Sequence, residues 1–504
     1  MRTINNIYID QVKNGISNYV GQFSAILFSL ISTPFIIGNI GVEEWGLYCI
    51  IIAVQPIVYI FGLGIPEILN REITKSLTVK KEHFSSNVFN LYQLIILGIS
   101  IVIFIVFWSL SDLISIKILS TNINSKLASD CLLLISVILS TRLLDAFYVQ
   151  VLSGLKKFYI LNIILTSSSF FKWCSCLLFI FFFNAGIYEI ILIHTFFSIL
   201  TALFFYYYTN SIVVKSNNTN PPRNYRSFFT SIMLTTSLFI VLTQFDRIIV
   251  LFISNDFKNF ATYALSTTIA IILSVLSKPI IMISTFHCNF LFHNSSFKEL
   301  KFYFMNSFKI IWTILITPFL ITIFFPREVM FLWIGNFNEL DLSADFLRVS
   351  AFGFFFSGIN LYLQNIQITF RKINFLLISL FISLVIIGFL LSNLVTIHGL
   401  MTFAYLWSFF NFLIFITSSL FVCNYLIKLS FIKFIIEIFI KNVSFTIIFF
   451  IIIKFLIILS DSRVLLFIQL FIIILISFLI SFLHNTQIKN LIFDGFSRIK
   501  NRLK

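Results

Sequence analysis

A chain of 504 residues that is 59% hydrophobic and 11% charged, with a mean hydropathy of +1.00, lacks the polar residues needed to cover a water-soluble surface of its size. Its net charge of +15 comes from Lys and Arg set between apolar blocks, with no polar domain to present a basic face, so membrane lipids rather than nucleic acid are the expected partners. Cys49, Cys131, Cys174, Cys176, Cys288 and Cys423 lie mostly in apolar runs without redox or zinc spacing, and the scattered His residues share no ligand pattern, so neither a metal nor a cofactor is expected.

Residues 1 to 13 are mostly polar and the first apolar stretch runs on without a small-residue cleavage site, which predicts no cleavable signal and a cytoplasmic N-terminus. Blocks of bilayer length, about 20 residues each, follow over 14–37, 45–66, 87–110, 128–151, 159–183, 187–208, 228–253 and 260–286. Six more cover 304–325, 346–367, 373–392, 398–423, 442–459 and 464–483, giving fourteen predicted transmembrane helices. Alternate connections carry the excess of Lys and Arg, among them Arg71, Lys80, Lys81, Lys156, Lys157, Arg223, Lys298, Arg371, Lys372 and the tail from Lys489. Only Lys117, Lys126, Lys258, Arg327 and Arg463 fall on the other side, an asymmetry that predicts both termini inside.

The end of the fourth span and its loop (Tyr148, Gln150, Lys156, Lys157, Asn162) resembles the end of the tenth (Tyr362, Gln364, Arg371, Lys372, Asn374). A parallel duplication would give an N-terminal lobe over 1–210, a cytoplasmic linker over 211–227 containing Pro221 and Pro222, and a C-terminal lobe over 228–425. The last two helices and a basic cytoplasmic tail then occupy 426–504. The architecture so predicted is all-α and integral to the membrane, with two six-helix lobes around a central cavity plus two C-terminal helices; so few shared letters also arise by chance.

Ionised side chains at membrane depth are costly and usually face a bundle interior or a watery cavity. Arg142, Lys172, Arg247, Lys278, Arg348 and Lys454 fall within spans or at their edges, against only two acids plainly beside them, Asp145 and Asp246. Arg142 and Asp145 share a helix face and can pair, whereas Asp246 and Arg247 are adjacent and point about 100° apart. The surplus of cations calls for an anionic partner such as a lipid pyrophosphate, and Arg142, Arg247, Lys278, Lys172 and Arg348 are the candidate substrate-binding residues, supported by Asp145 and Asp246. The alternative is that Arg142, Lys172 and Lys454 snorkel to an interface and that Arg142 with Asp145 locks a helix pair. Glu189 and His194 suit either a titrating role or positioning at the interface. No Walker loop, dinucleotide fingerprint or nucleophile elbow is present, and an enzyme is not expected.

The stretches Thr33-Pro34-Phe35-Ile36-Ile37, Gly41-Val42-Glu43-Glu44-Trp45-Gly46-Leu47-Tyr48 and Gly62-Leu63-Gly64 resemble the N-terminal signature of Wzx-type polysaccharide-biosynthesis flippases, within the multidrug/oligosaccharidyl-lipid/polysaccharide exporter superfamily. Val149 to Phe158, Gln244 to Ile249, Tyr263-Ala264-Leu265 and Leu332-Trp333-Ile334-Gly335 are similar to later segments of the same family. Ile60 departs from it, standing where many members carry an acid, so a coupling role for that acid does not transfer. The resemblance implies alternating access around a cationic cavity in the bacterial inner membrane. Its cargo would be an undecaprenyl-pyrophosphate-linked repeat unit for O-antigen or capsule, with a polysaccharide polymerase and a chain-length regulator as protein partners. A drug/cation antiporter of the same fold would want buried carboxylates, of which there are few. A glycosyltransferase, polymerase or ligase would want a large periplasmic loop, and the longest here lies near 326 to 345.

Overall fold

The computed structural model describes residues 2–62, 64–66, 69, 70, 73, 86–118, 125–155, 157–212, 257–293, 297–370, 372–440, 444–457 and 459–484, with scattered helical residues between 234 and 251. Runs of Ile and Phe, which pack readily on a sheet in water, are helical here because a chain in hydrocarbon must satisfy each N–H and C=O within its own segment. Eleven helices among the described residues are long and apolar enough to cross a membrane. One of them, Phe23–Phe61, holds two predicted spans; the predicted span 228–253 is only partly described, and 442–459 appears as a shorter helix.

The first helix, α1 (Arg2–Phe61), is broken at Gly41, whose φ of 85° and ψ of 166° suit a residue without Cβ. The predicted loop between the first two spans is therefore a single bend, with Trp45 and Tyr48 stacked just beyond it at 4.6 Å. There follow α2 (Ser86–Ile118), α3 (Ser125–Gly154), α4 (Phe158–Phe183), α5 (Ile187–Ile212) and α6 (Phe257–His293). Beyond these lie α7 (Phe297–Phe324), α8 (Pro326–Ile334), α9 (Leu340–Thr369), α10 (Ile373–His398) and α11 (Met401–Phe421). A π-helical turn, Val422–Leu426, prolongs α11; the short α12 (Phe431–Ile435) and a second π turn (Ile436–Ile440) precede α13 (Ser444–Leu456) and α14 (Arg463–His484). The longest predicted outer loop is thus partly helical. Pro326 opens α8 with a fixed φ and no N–H to satisfy, and Gly335 closes it at φ 98°.

The chain divides into two compact units, Met1–Ala264 and Leu265–Lys504. Most of the linker expected over 211–227, the basic loop containing Lys80 and Lys81, and the tail from 485 lie outside the described residues.

In the first unit α3 packs against α2 and α5, and α4 against α5 and α1. Hydroxyls hold these contacts: Ser100 Oγ donates to the Ser140 carbonyl at 2.7 Å, and Thr141 Oγ1 meets Ser198 Oγ at 2.6 Å. In the second unit α9 packs against α7 and α11, and α10 against α11, the same pattern one lobe later. Ser408 Oγ donates to the Val349 carbonyl at 2.6 Å and Asn360 Nδ2 to that of Asn411 at 2.9 Å.

The two helix ends that share letters also share backbone detail. Helix α3 ends with Leu155 N–H donating to the Val151 carbonyl and Lys157 N–H to that of Leu152; α9 ends with Phe370 N–H donating to Ile366 and Lys372 N–H to Gln367, at matching distances of 3.0 and 2.9 Å.

Candidate functional site

Within the first unit, α1, α3, α4 and α5 bring together ionised groups that are far apart in sequence. Arg142 Nη1 lies 3.4 Å from Asp145 Oδ2, one turn along α3. That is long for a charge-assisted hydrogen bond, and it leaves Arg142 Nε and Asp145 Oδ1 buried without a hydrogen-bond partner. Lys172, from α4, stands within electrostatic reach of both Arg142 and Asp145, with its Nζ 5.3 Å from the Trp173 ring centroid. Two cations therefore share one carboxylate. A buried charge left unpaired is expensive, and the Arg142 side chain, 25% exposed against 7% for Asp145, keeps an open side from which a ligand can approach.

One wall of the cluster is aromatic. Tyr48 from α1, Trp173 from α4 and His194 from α5 meet edge to face, with His194 at 4.8 Å from each of the other two rings. His194 is buried, its Nε2 has no hydrogen-bond partner, and it lies in the field of Lys172 and Arg142. It therefore belongs to the cluster rather than to a membrane interface. Glu189 caps a helix start: its Oε2 accepts the Gly186 N–H at 2.9 Å at the beginning of α5. Tyr59, hydrogen-bonded to Gln55 at 2.9 Å, also lies in the field of Arg142 and Asp145.

A second pair lies in the same unit. Asp246 and Arg247 are both buried and helical, and their side chains take different surroundings, as adjacent helical positions require. Asp246 Oδ2 accepts the Tyr263 hydroxyl at 2.6 Å, while Arg247 Nη2 is buried without a hydrogen-bond partner and acts on Cys49 of α1. Tyr48 faces the field of Arg142 and Cys49 that of Arg247, so the second half of α1 stands between the two cationic groups.

Lys278 and Arg348 belong to the second unit. Lys278 is exposed on α6, next to buried Ser277, whose Oγ donates to the Gly358 carbonyl at 3.0 Å, and beside Pro279 within the helix. Arg348 is about half exposed, 3.6 Å from Asp345 and 3.3 Å from the Ile323 carbonyl at the start of α9. Lys454 sits at the end of α13 with its Nζ 4.9 Å from the Phe325 ring.

The residues that sequence reasoning missed are the aromatic ones. The Trp45-Gly46-Leu47-Tyr48 stretch was visible, but no spacing rule joins Tyr48 to Trp173 and His194 across three helices.

No protein-family model matches the chain, and no curated protein matches it by sequence. Solved structures do match. The lipid II flippase MurJ in an inward closed conformation superposes with a TM-score of 0.68 over 95% of this chain and 100% of its own, at 15% identity. The MATE multidrug transporter DinF-BH, in a ligand complex, gives 0.65 over 84% of this chain and 97% of its own, at 16% identity. An outward-facing multidrug-resistance MATE transporter of the MOP superfamily gives 0.62 over 81% and 93%, at 14% identity. At these identities the likeness establishes the fold alone: this chain has the multi-helix fold of these MurJ and MATE structures.

Proposed function

We propose that the protein is a flippase that carries undecaprenyl-pyrophosphate-linked oligosaccharide repeat units from the cytoplasmic to the periplasmic leaflet of a bacterial inner membrane, for O-antigen or capsule synthesis. The observation that carries this reading is the surplus of buried positive charge in the first unit, where Arg142 and Lys172 share Asp145 and Arg247 keeps an unpartnered guanidinium nitrogen. A pyrophosphate offers several negative oxygens close together, which an Arg fork and a Lys ammonium bind in complementary ways. Asp145 holds Arg142 while the site is empty, and Asp246, bonded to the Tyr263 hydroxyl, lends its charge beside Arg247. Lys278 and Arg348 are the second unit's contribution to the substrate path, and two lobes over 1–210 and 228–425, joined by the linker and followed by two helices and the tail, supply alternating access. Both termini lie in the cytoplasm, and a polysaccharide polymerase and a chain-length regulator receive the product. The likeness to a lipid II flippase over 95% of the chain supports a lipid-linked cargo.

A multidrug or cation antiporter is the second reading, favoured by the MATE structures and by the buried Asp145 and His194. Deleting the gene and following lipid-linked repeat units decides between them. Accumulation on the cytoplasmic leaflet, cleared by a plasmid copy, is the expected result. Normal surface glycan without accumulation transfers the assignment to the antiporter.

A further inference from the structure

The second unit has a cavity of about 440 Å³ at one end of its bundle, apart from every residue assigned to transport above. Phe325, Arg327 and Glu328 at the start of α8 line it, together with Lys454 at the end of α13 and Asp461 in the turn before α14. The charged side chains balance, two cations against two acids, so neither a simple anion nor a simple cation matches it. Arg327 is already engaged, its Nε 2.7 Å from Asp341 Oδ1, whereas among the described residues Lys454 meets the Phe325 ring at 4.9 Å and makes no ion pair.

Beside the cavity the Arg463 guanidinium lies over the Phe331 ring at 5.7 Å. It fills the space left by Gly335, where any side chain would collide with it. The absence of a Cβ at Gly335 thus leaves room for the Arg463 guanidinium over Phe331, a ring that lines the cavity.

The flanks are of opposite character. Phe455 is 85% exposed, Leu456 76% and Val464 70%, continuing into exposed Leu465, Phe467 and Phe471 along α14. A polar, charge-balanced cavity opening beside bare apolar helix faces fits a ligand with a zwitterionic head and hydrocarbon chains.

We propose that this cavity binds the headgroup of a zwitterionic phospholipid bearing a primary ammonium, with the phosphate on Lys454 and Arg463, the ammonium on Glu328 and Asp461, and the acyl chains along α13 and α14. The ammonium carries three donors, which two carboxylates can accept, and each ionic contact is charge-assisted.

The test uses the full chain, purified and equilibrated with vesicles of equal parts phosphatidylethanolamine and phosphatidylglycerol, with retained lipid counted by native mass spectrometry. The wild type is expected to retain phosphatidylethanolamine over phosphatidylglycerol by about ten-fold, Asp461→Asn to bring that ratio close to one, and Lys454→Gln to lower the retention of both lipids. Retention in the proportions supplied, or preference for phosphatidylglycerol, overturns the proposal. So does displacement of the lipid by water-soluble glycerophosphoethanolamine at equal concentration, because the chains would then contribute nothing. Should a variant fail to fold, a photoreactive phosphatidylethanolamine on the wild type decides: cross-links within 454–466 are expected, and labelling only elsewhere overturns it.

Discussion

Helices α3 and α9 close with the same pair of backbone hydrogen bonds and pack against equivalent neighbours, yet they are filled with opposite chemistry. Matching the two helix ends sets Arg142 opposite Ser357 and Asp145 opposite Asn360. The first unit holds ionised groups where the second holds buried neutral ones, Ser350, Ser357, Asn360, Gln364 and Gln367 along α9, beside a packed aromatic cluster of Trp312, Phe355 and Tyr362. A helix of this kind therefore packs without buried charge, its Asp341, Asp345 and Arg348 being exposed. The buried charges on α3 are not required by this packing, which agrees with the proposed role of Arg142 in binding.

The comparison breaks most visibly if the charges prove dispensable for transport. Replacing Arg142 and Lys172 together with Gln is expected to lower export, measured as surface glycan in the deletion strain, by about 100-fold or more, since two charge-assisted contacts are lost. Unchanged export with normal expression would refute the site.

Stability tests sharpen it further. Asp145→Asn alone leaves two cations without their carboxylate and is expected to cost about 1–3 kcal/mol in a thermal or denaturant melt. Arg142→Ser with Asp145→Asn, which copies the second unit's residues, should recover most of that loss while export stays low. In the second unit the sensitive feature is packing: a Cβ on Gly353 would come within 2.6 Å of Trp407 and 3.0 Å of the Ser408 backbone. Gly353→Ala should therefore cost about 1–3 kcal/mol with no change in substrate preference. The smallest effect is expected from Arg327→Gln, which removes an exposed ion pair with Asp341 and should shift stability by less than about 1 kcal/mol.

Most of the membrane helices and their order were legible because hydropathy is local: about 20 apolar residues span a bilayer wherever they occur. The Arg142–Asp145 pairing was legible for the same reason, since i and i+3 on one helix are neighbours. The short helix α8 was not, because its nine residues form a helix through Pro326 and Gly335 rather than through a long apolar period. The approach of Lys172 to Arg142, and the ring contacts of His194, depend on which faces of α3, α4 and α5 meet, and spacing along one helix carries no information on that. Arg348 had a local clue in Asp345, one turn earlier, which ties it to an exposed ion pair.

The two π turns, Val422–Leu426 and Ile436–Ile440, bear on where this chain can change length. Each closes its hydrogen bonds five residues back instead of four, so each takes in one amino acid more than an α-helix needs. An extra residue in a strict α-helix would turn everything beyond it by about 100°, and the wider turn absorbs it. Deleting a single residue from Val422–Leu426 is therefore expected to restore the α ladder while leaving the direction of the following segment nearly unchanged.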